Sequence, residues 1–149
     1  MVEDLSQEQI LQVLKSNFLG RLGLHDGYKT YVILTNYVFD GKFILAHAVE
    51  GAKIKIMRQF PAVCFEVEEV ENANNWRSIM AWGWYQELTE ERERFNAMKL
   101  FVDKQLHVKL PHPSREIRPA TTNPGKTKME KTVIYRIVLN EFKGKYEAG

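Results

Sequence analysis

The chain has 149 residues, of which 44% are hydrophobic, 11% aromatic and 27% charged, with a formal net charge of +2. That balance excludes a disordered, collagen-like or coiled-coil chain, and the length suits one domain, residues 1–149, with a core of its own. So small a charge does not argue for nucleic acid, and no stretch approaches the roughly 20 apolar residues of a membrane span.

The acidic start MVEDLSQEQ is unlike a secretory signal, and the lone Cys64 forbids an internal disulfide; together they predict a reducing, cytoplasmic setting.

Ser6 and Gln9 have the spacing of a capping box, which predicts a helix start. Ile10, Leu11, Val13 and Leu14 give that helix an apolar face, and it ends near Asn17. Residues 18–24 then alternate as a strand. Asp26-Gly27 and Asp40-Gly41 are hairpin pairs, because glycine accepts the positive φ of such turns. Residues 29–39 between them are rich in Tyr, Val, Ile and Thr, as a pleated surface prefers, and residues 42–48 are a third strand.

Glu50-Gly51 breaks that strand. Residues 52–60 predict a short helix with Ile54, Ile56 and Met57 set among Lys53, Lys55 and Arg58, closed by Pro61. Residues 62–70 are a strand with an acidic end, and residues 72–75 are a loop. Residues 76–88 are a long strand on which Trp76, Ser78, Met80, Trp82 and Trp84 share a face. Thr89 is the expected cap of a last helix, with Phe95, Met98, Val102 and Leu106 as its apolar stripe.

Residues 107–131 have no periodicity and hold four of the five prolines, within a stretch, 104–131, that carries seven Lys or Arg against two Glu. So long a loop in a compact domain implies a use, and we read it as a basic lid over a site. Residues 132–139 close the chain as a sixth strand. The hairpins argue for antiparallel pairing, so the expected architecture is a small closed or nearly closed barrel with helices around it.

Several chemistries are missing. There is no GxxxxGKS or GxxxxGKT phosphate loop and no GxGxxG. His25, His47, His107 and His112 form no HExxH, Cys64 has no cysteine partner, and no metal site is predicted. No Ser-His-Asp order with an elbow motif is visible.

The informative stretch is ILAHAVEGAK, residues 44–53. A strand ends in His47-Ala48, a glycine turn follows, and Lys53 stands at a helix start. A phosphate there meets helix amides, the positive end of the helix dipole and an ammonium together. The same spacing fits a solvated surface lysine and a hydrogen-bonded strand-end histidine.

The words GRLGLHDG, YVILTNYVFDG, ILAHAVEGAKIKIMRQFPAVCFEVEE, WRSIMAWGWYQEL and VIYRIVLNEFKGKYE, in that order, carry a resemblance. The chain resembles the pyridoxamine 5′-phosphate oxidase-related superfamily of flavin-binding split barrels, and within it the nitroimidazole-resistance type. The resemblance implies a mainly β fold, a six-stranded antiparallel split barrel with flanking helices, working as a homodimer with FMN between the subunits. It implies that Lys53 binds the FMN phosphate, that Leu34, Thr35, Asn36 and Tyr37 line the flavin ring, and that His47 and Ala48 lie beside the ring and ribityl chain. Trp76, Arg77 and Ser78 would supply further flavin contacts.

The true oxidases carry an Arg where this chain has Ala52, and a C-terminal motif with Arg residues where it has NEFKGKYEAG. The resemblance therefore implies reduction of nitro-aromatic or other small electrophilic substrates, with His47 catalytic, in place of vitamin B6 oxidation. Two other functions compete. One is a non-catalytic flavin- or haem-binding protein of the same fold, with His47 or His112 as the axial haem ligand. The other is a binder of nucleic acid or another anionic partner through the basic loop.

Overall fold

The computed structural model describes the backbone of residues 1–108 and 132–149, and the side chains of residues 1–104 and 132–149. His112, considered above as a haem ligand, and most of the basic loop lie outside the described residues. A two-residue strand β1 (Glu3–Asp4) precedes helix α1 (Gln7–Ser16). The capping box is formed: the Gln9 amide donates to Ser6 Oγ at 3.2 Å and the Ser6 amide to Gln9 Oε1 at 2.8 Å. Strands β2 (Leu19–His25) and β3 (Thr30–Asn36) pair as a hairpin. At its turn Asp26 Oδ1 accepts from the Tyr28 and Lys29 amides, and Gly27 takes φ +88°.

The expected single strand over residues 29–39 is two. After β3 the chain switches partner at Tyr37, whose amide donates to the Phe18 carbonyl, and continues as β4 (Val38–Phe39). β4 pairs with β5 (Phe43–Val49) across the Asp40-Gly41 turn, where Gly41 has φ +102°. Helix α2 (Ala52–Gln59), strands β6 (Ala62–Asn72) and β7 (Asn75–Glu87), helix α3 (Glu91–Val108) and strand β8 (Thr132–Ala148) complete the order. Asn72 Oδ1 accepts from the Asn74 amide and tightens the expected loop at 72–75 into a hairpin turn.

The pairing is antiparallel throughout, along the path β3-β2-β6-β7-β8-β5-β4, with β1 added to β8. Six long strands are joined by two two-residue ones, which accounts for eight strands where six were expected. The two ends of the path, β3 and β4, are one stretch of chain broken only at Tyr37, so the sheet curls round on itself without hydrogen-bonded closure. This is a split barrel.

β8 is far longer than the expected 132–139, because it spans both β5 and β7. One extra residue, Asn140, bulges between the pairs Gly83↔Leu139 and Trp82↔Glu141 and lets the strand bend.

Strand alternation sends Leu22, Phe65, Val67, Ile79, Tyr135 and Ile137 inward, where α1 adds Val13 and Leu14 and α2 adds Ile54 and Met57. The outward face of β5 and β8 is covered by α3: Leu45, Leu88, Ile134 and Ala97 form a second core with Phe43, Leu100 and Phe101. This corrects the expected stripe on the last helix. Phe95, Met98 and Val102 are exposed, and the buried side is Ala97 with Leu100 and Phe101 half-buried beside it. Spacing alone fits either stripe; the sheet beneath α3 selects the one that meets it. His107 and Val108 belong to α3 as well, where a loop was expected from residue 107. Among the described residues no helix is long and apolar enough to cross a membrane, and no cluster of His, Cys, Asp and Glu could hold a metal.

Candidate functional site

The split has a definite edge. β4 pairs with β5 as Val38↔Leu45 and Phe39↔Ile44. Continued two steps beyond Val38, this register would set Asn36 opposite His47. Instead β3 departs to β2, with Leu34 opposite Arg21 and Thr35 opposite Gly20. Leu34, Thr35 and Asn36 thus border one side of the split, and His47 and Ala48 the other. Leu34 is 62% exposed, whereas Thr35 is buried and donates its hydroxyl to the Ile33 carbonyl at 3.2 Å. Leu34 and Asn36 are therefore the side chains open to a ligand, and Thr35 offers backbone only.

Tyr37, expected beside them, is a core residue. Its ring meets Phe65 edge-on with centroids 5.1 Å apart, and its hydroxyl donates to the Leu14 carbonyl at 2.7 Å. Burial, with the Glu69 charge as a lesser cause, holds its phenol well above the ordinary range.

On the opposite lip, His47 pairs across the strands with Ile134 and meets the Phe101 ring of α3 edge-on, with centroids 4.7 Å apart. One edge of the imidazole is exposed, but the protein packed around the rest penalises its charged form, and the Lys53 ammonium adds to this. Its pKa is accordingly lowered, and at neutral pH the ring is neutral, with one N–H to donate and one bare nitrogen to accept. Ala48 is half-buried against the core.

Lys53 is the second residue of α2. It is half-buried, and partial desolvation lowers its pKa. Among the described residues it has no ion pair or hydrogen bond. The helix start above it is equally open: Gly51 gives no side-chain cap, and the first turn contains no acidic residue. Orphan amides, the positive end of the dipole and an unneutralised ammonium therefore converge beside a neutral imidazole. This is an arrangement for an anion, and a phosphate monoester suits it.

Trp76, Arg77 and Ser78 stand elsewhere. Ser78 donates its hydroxyl to Glu66 Oε2 at 3.1 Å, and Arg77 lies 3.8 Å from Glu69. Trp76 lines a cavity of about 540 Å³ with Gln9, Glu69 and Tyr146. The row Leu34–Arg21–Glu66–Met80 crosses three strand spacings, about 14 Å, and Ser78, Arg77 and Trp76 lie two to four residues further along β7. One chain brings together His47 and Lys53, with Leu34 and Asn36 across the split, but not Trp76, Arg77 or Ser78.

Sequence reasoning missed the ionic framework around the site. Arg58 forks onto Glu87 (Nε to Oε1 2.8 Å, Nη2 to Oε2 2.9 Å) and reaches Glu50 at 2.8 Å. Arg21 bridges Glu66 and Glu68 at 3.3 and 3.1 Å. Partners so distant along the chain leave no local signal; the acidic end of residues 62–70 was the only hint.

The sequence model of the pyridoxamine 5′-phosphate oxidase family matches residues 6–146, nearly the whole of the chain and every element but the short β1. The chain belongs to this family.

Its relatives are distant. An uncharacterised protein of Rhizobium meliloti is 28% identical over 107 residues, 69% of this chain and 71% of that protein. Among solved structures, a FAD-binding protein from Mesorhizobium loti superposes with a TM-score of 0.75 at 23% identity, covering 99% of each chain. A candidate 5-nitroimidazole antibiotic resistance protein from Bacteroides thetaiotaomicron gives 0.73 at 13% identity, over 98% of this chain and 87% of that one. At such identities the likeness is one of fold, and it bears out the split barrel of this family.

Proposed function

We propose that this member of the family is an FMN-dependent oxidoreductase that reduces nitro-aromatic or other small electrophilic substrates. The observation that carries this reading is the half-buried ammonium of Lys53, without a partner among the described residues, at the uncapped start of α2 beside the neutral His47. When bound, FMN supplies the electron transfer. Lys53 and the first amides of α2 hold its phosphate. The backbone of Leu34, Thr35 and Asn36 and the strand end at His47 and Ala48 border its ring. The imidazole of His47 donates or accepts a proton at the lip of the split. Two structural neighbours are FAD-binding proteins, from Mesorhizobium loti and Mycobacterium smegmatis, which supports a flavin as the cofactor.

The second part of the proposal is a homodimer. Val32, Leu34, Trp82 and Trp84 are 69%, 62%, 38% and 50% exposed on the outward face of the sheet, more apolar surface than a monomer ordinarily leaves open. A second copy on that face would bury it and would bring its own Trp76, Arg77 and Ser78 to the lip, which is how residues three strands apart in one chain serve one ligand.

The absorption spectrum of the purified protein is the first test, since flavin and haem differ in their visible bands. FMN titration of Lys53→Ala is the second. Loss of a charge-assisted phosphate contact should weaken FMN by about ten- to a hundredfold. Unchanged FMN affinity sinks the phosphate assignment. His47→Ala should retain FMN and lose turnover; full activity on every substrate makes His47 structural.

A further inference from the structure

Lys53 has no carboxylate partner among the described residues, and Glu50, three positions before it in the chain, is held by a different cation. Glu50 lies in the turn that precedes α2, three residues before Lys53. Its carboxylate is turned instead to Arg58, with Nη1 to Oε2 at 2.8 Å and Nη2 to Oε1 at 3.4 Å. Arg58 in turn is anchored on β7 by the two parallel bonds of its fork to Glu87, and Glu87 also accepts from the Tyr85 hydroxyl at 3.0 Å. Three elements are thus tied at one guanidinium: the end of β5, the last turn of α2 and the end of β7.

Simple surface ion pairs contribute little to stability. A rigid fork that fixes where two negative charges sit has another effect: it decides which cation nearby stays uncompensated. Burial of Lys53 makes that decision costly, since an ammonium partly removed from water and left without a carboxylate favours any anion that reaches it.

We infer that Arg58 is a positioning residue for phosphate selectivity: by holding Glu50 and Glu87 it keeps Lys53 un-neutralised, and so sets how strongly the site prefers a phosphorylated flavin over its dephosphorylated form. This rests on the phosphate reading above but assigns a role to a residue that touches no ligand. Arg58 lies at the far end of α2 from the phosphate-facing amides. Its removal releases Glu50 toward Lys53, and the site neutralises itself.

The test is the ratio of affinities for FMN and riboflavin, read by quenching of flavin fluorescence. Both ligands share the ring and ribityl chain, so a general loss of structure lowers both, and only a loss of phosphate recognition lowers the ratio. Arg58→Gln is expected to lower the ratio about tenfold, the scale of one screened charge pair a few ångströms away. Arg58→Gln with Glu50→Gln is expected to restore it. Arg58→Lys keeps the charge but loses the fork; it is expected to lose about threefold and serves if Arg58→Gln does not fold.

An unchanged ratio in a folded Arg58 variant, or a double variant that stays as poor as the single one, overturns the proposal. Failure of the phosphate reading itself is seen separately, as an unchanged ratio in Lys53→Ala with Arg58 intact; that result overturns both.

Discussion

The Tyr37 hydroxyl donates to the Leu14 carbonyl oxygen at 2.7 Å, joining the last turn of α1 to the point where β3 gives way to β4. The same helix end receives Lys104 Nζ from α3, at 3.2 Å from the Lys15 carbonyl and 2.8 Å from that of Asn17. A helix terminus that would otherwise leave carbonyls unpaired is thus closed by two side chains from distant parts of the chain.

Tyr37→Phe keeps the ring and its contact with Phe65 but leaves the Leu14 carbonyl without its partner. It should cost about 1–2 kcal/mol and lower Tm by about 3–6 °C, with FMN binding retained, because the Tyr37 side chain faces the core. Calorimetry of the variant with and without FMN checks both parts.

His47 should titrate below the ordinary histidine value, first because of crowding and second because of Lys53. The unfolded chain then binds the proton more readily than the folded one. Stability is therefore full above the ordinary value near 6.5 and falls as pH drops from there toward the folded pKa. A phosphate on Lys53 offsets the ammonium charge, so inorganic phosphate or FMN should raise the His47 pKa. NMR titration of the His47 ring with and without phosphate measures the shift; no upward movement would separate the two groups electrostatically from the anion.

Val32→Glu and Trp84→Glu place charges on the exposed apolar face of the sheet. Neither should unfold an isolated chain, since both positions are open to water. If a second copy covers about 1,200 Å² or more in total there, both should convert a dimer to monomers in sedimentation at micromolar concentration. Wild type that already sediments as a monomer with FMN bound removes the composite site.

The two sides of α3 should respond differently. Phe95→Ser and Val102→Ser alter exposed positions and should change stability by less than about 0.5 kcal/mol. Ala97→Asp buries a carboxylate beside Leu45 and Ile134, and should destabilise by several kcal/mol. Urea unfolding of the three variants distinguishes the faces.

Much of the architecture is legible locally. The Ser6–Gln9 box, the aspartate–glycine turns at 26–27 and 40–41, and the alternation along 76–88 each depend on residues within a few positions of one another. Each formed as the local chemistry requires. Lys53 and His47 stand out in the sequence for the same reason: a strand end, a glycine turn and a helix start are consecutive in the chain.

The tertiary structure decided what depends on partners far apart in sequence. Tyr37 reads as one more β-former in 29–39, and only the curled sheet with α1 docked on it decides that the face it shares with Thr35 and Phe39 is the core. Phe95, Met98 and Val102 have as good a helical spacing as Ala97, Leu100 and Phe101, and only the outward face of β5 and β8 selects between them. The state of Lys53 follows the same logic. The sequence places an ammonium at a helix start, but whether it is neutralised depends on Glu50, Arg58 and Glu87, from three different elements. Local propensity acts through neighbours along the chain; burial and charge compensation act through neighbours in space, which exist only once the sheet has curled and the helices have docked.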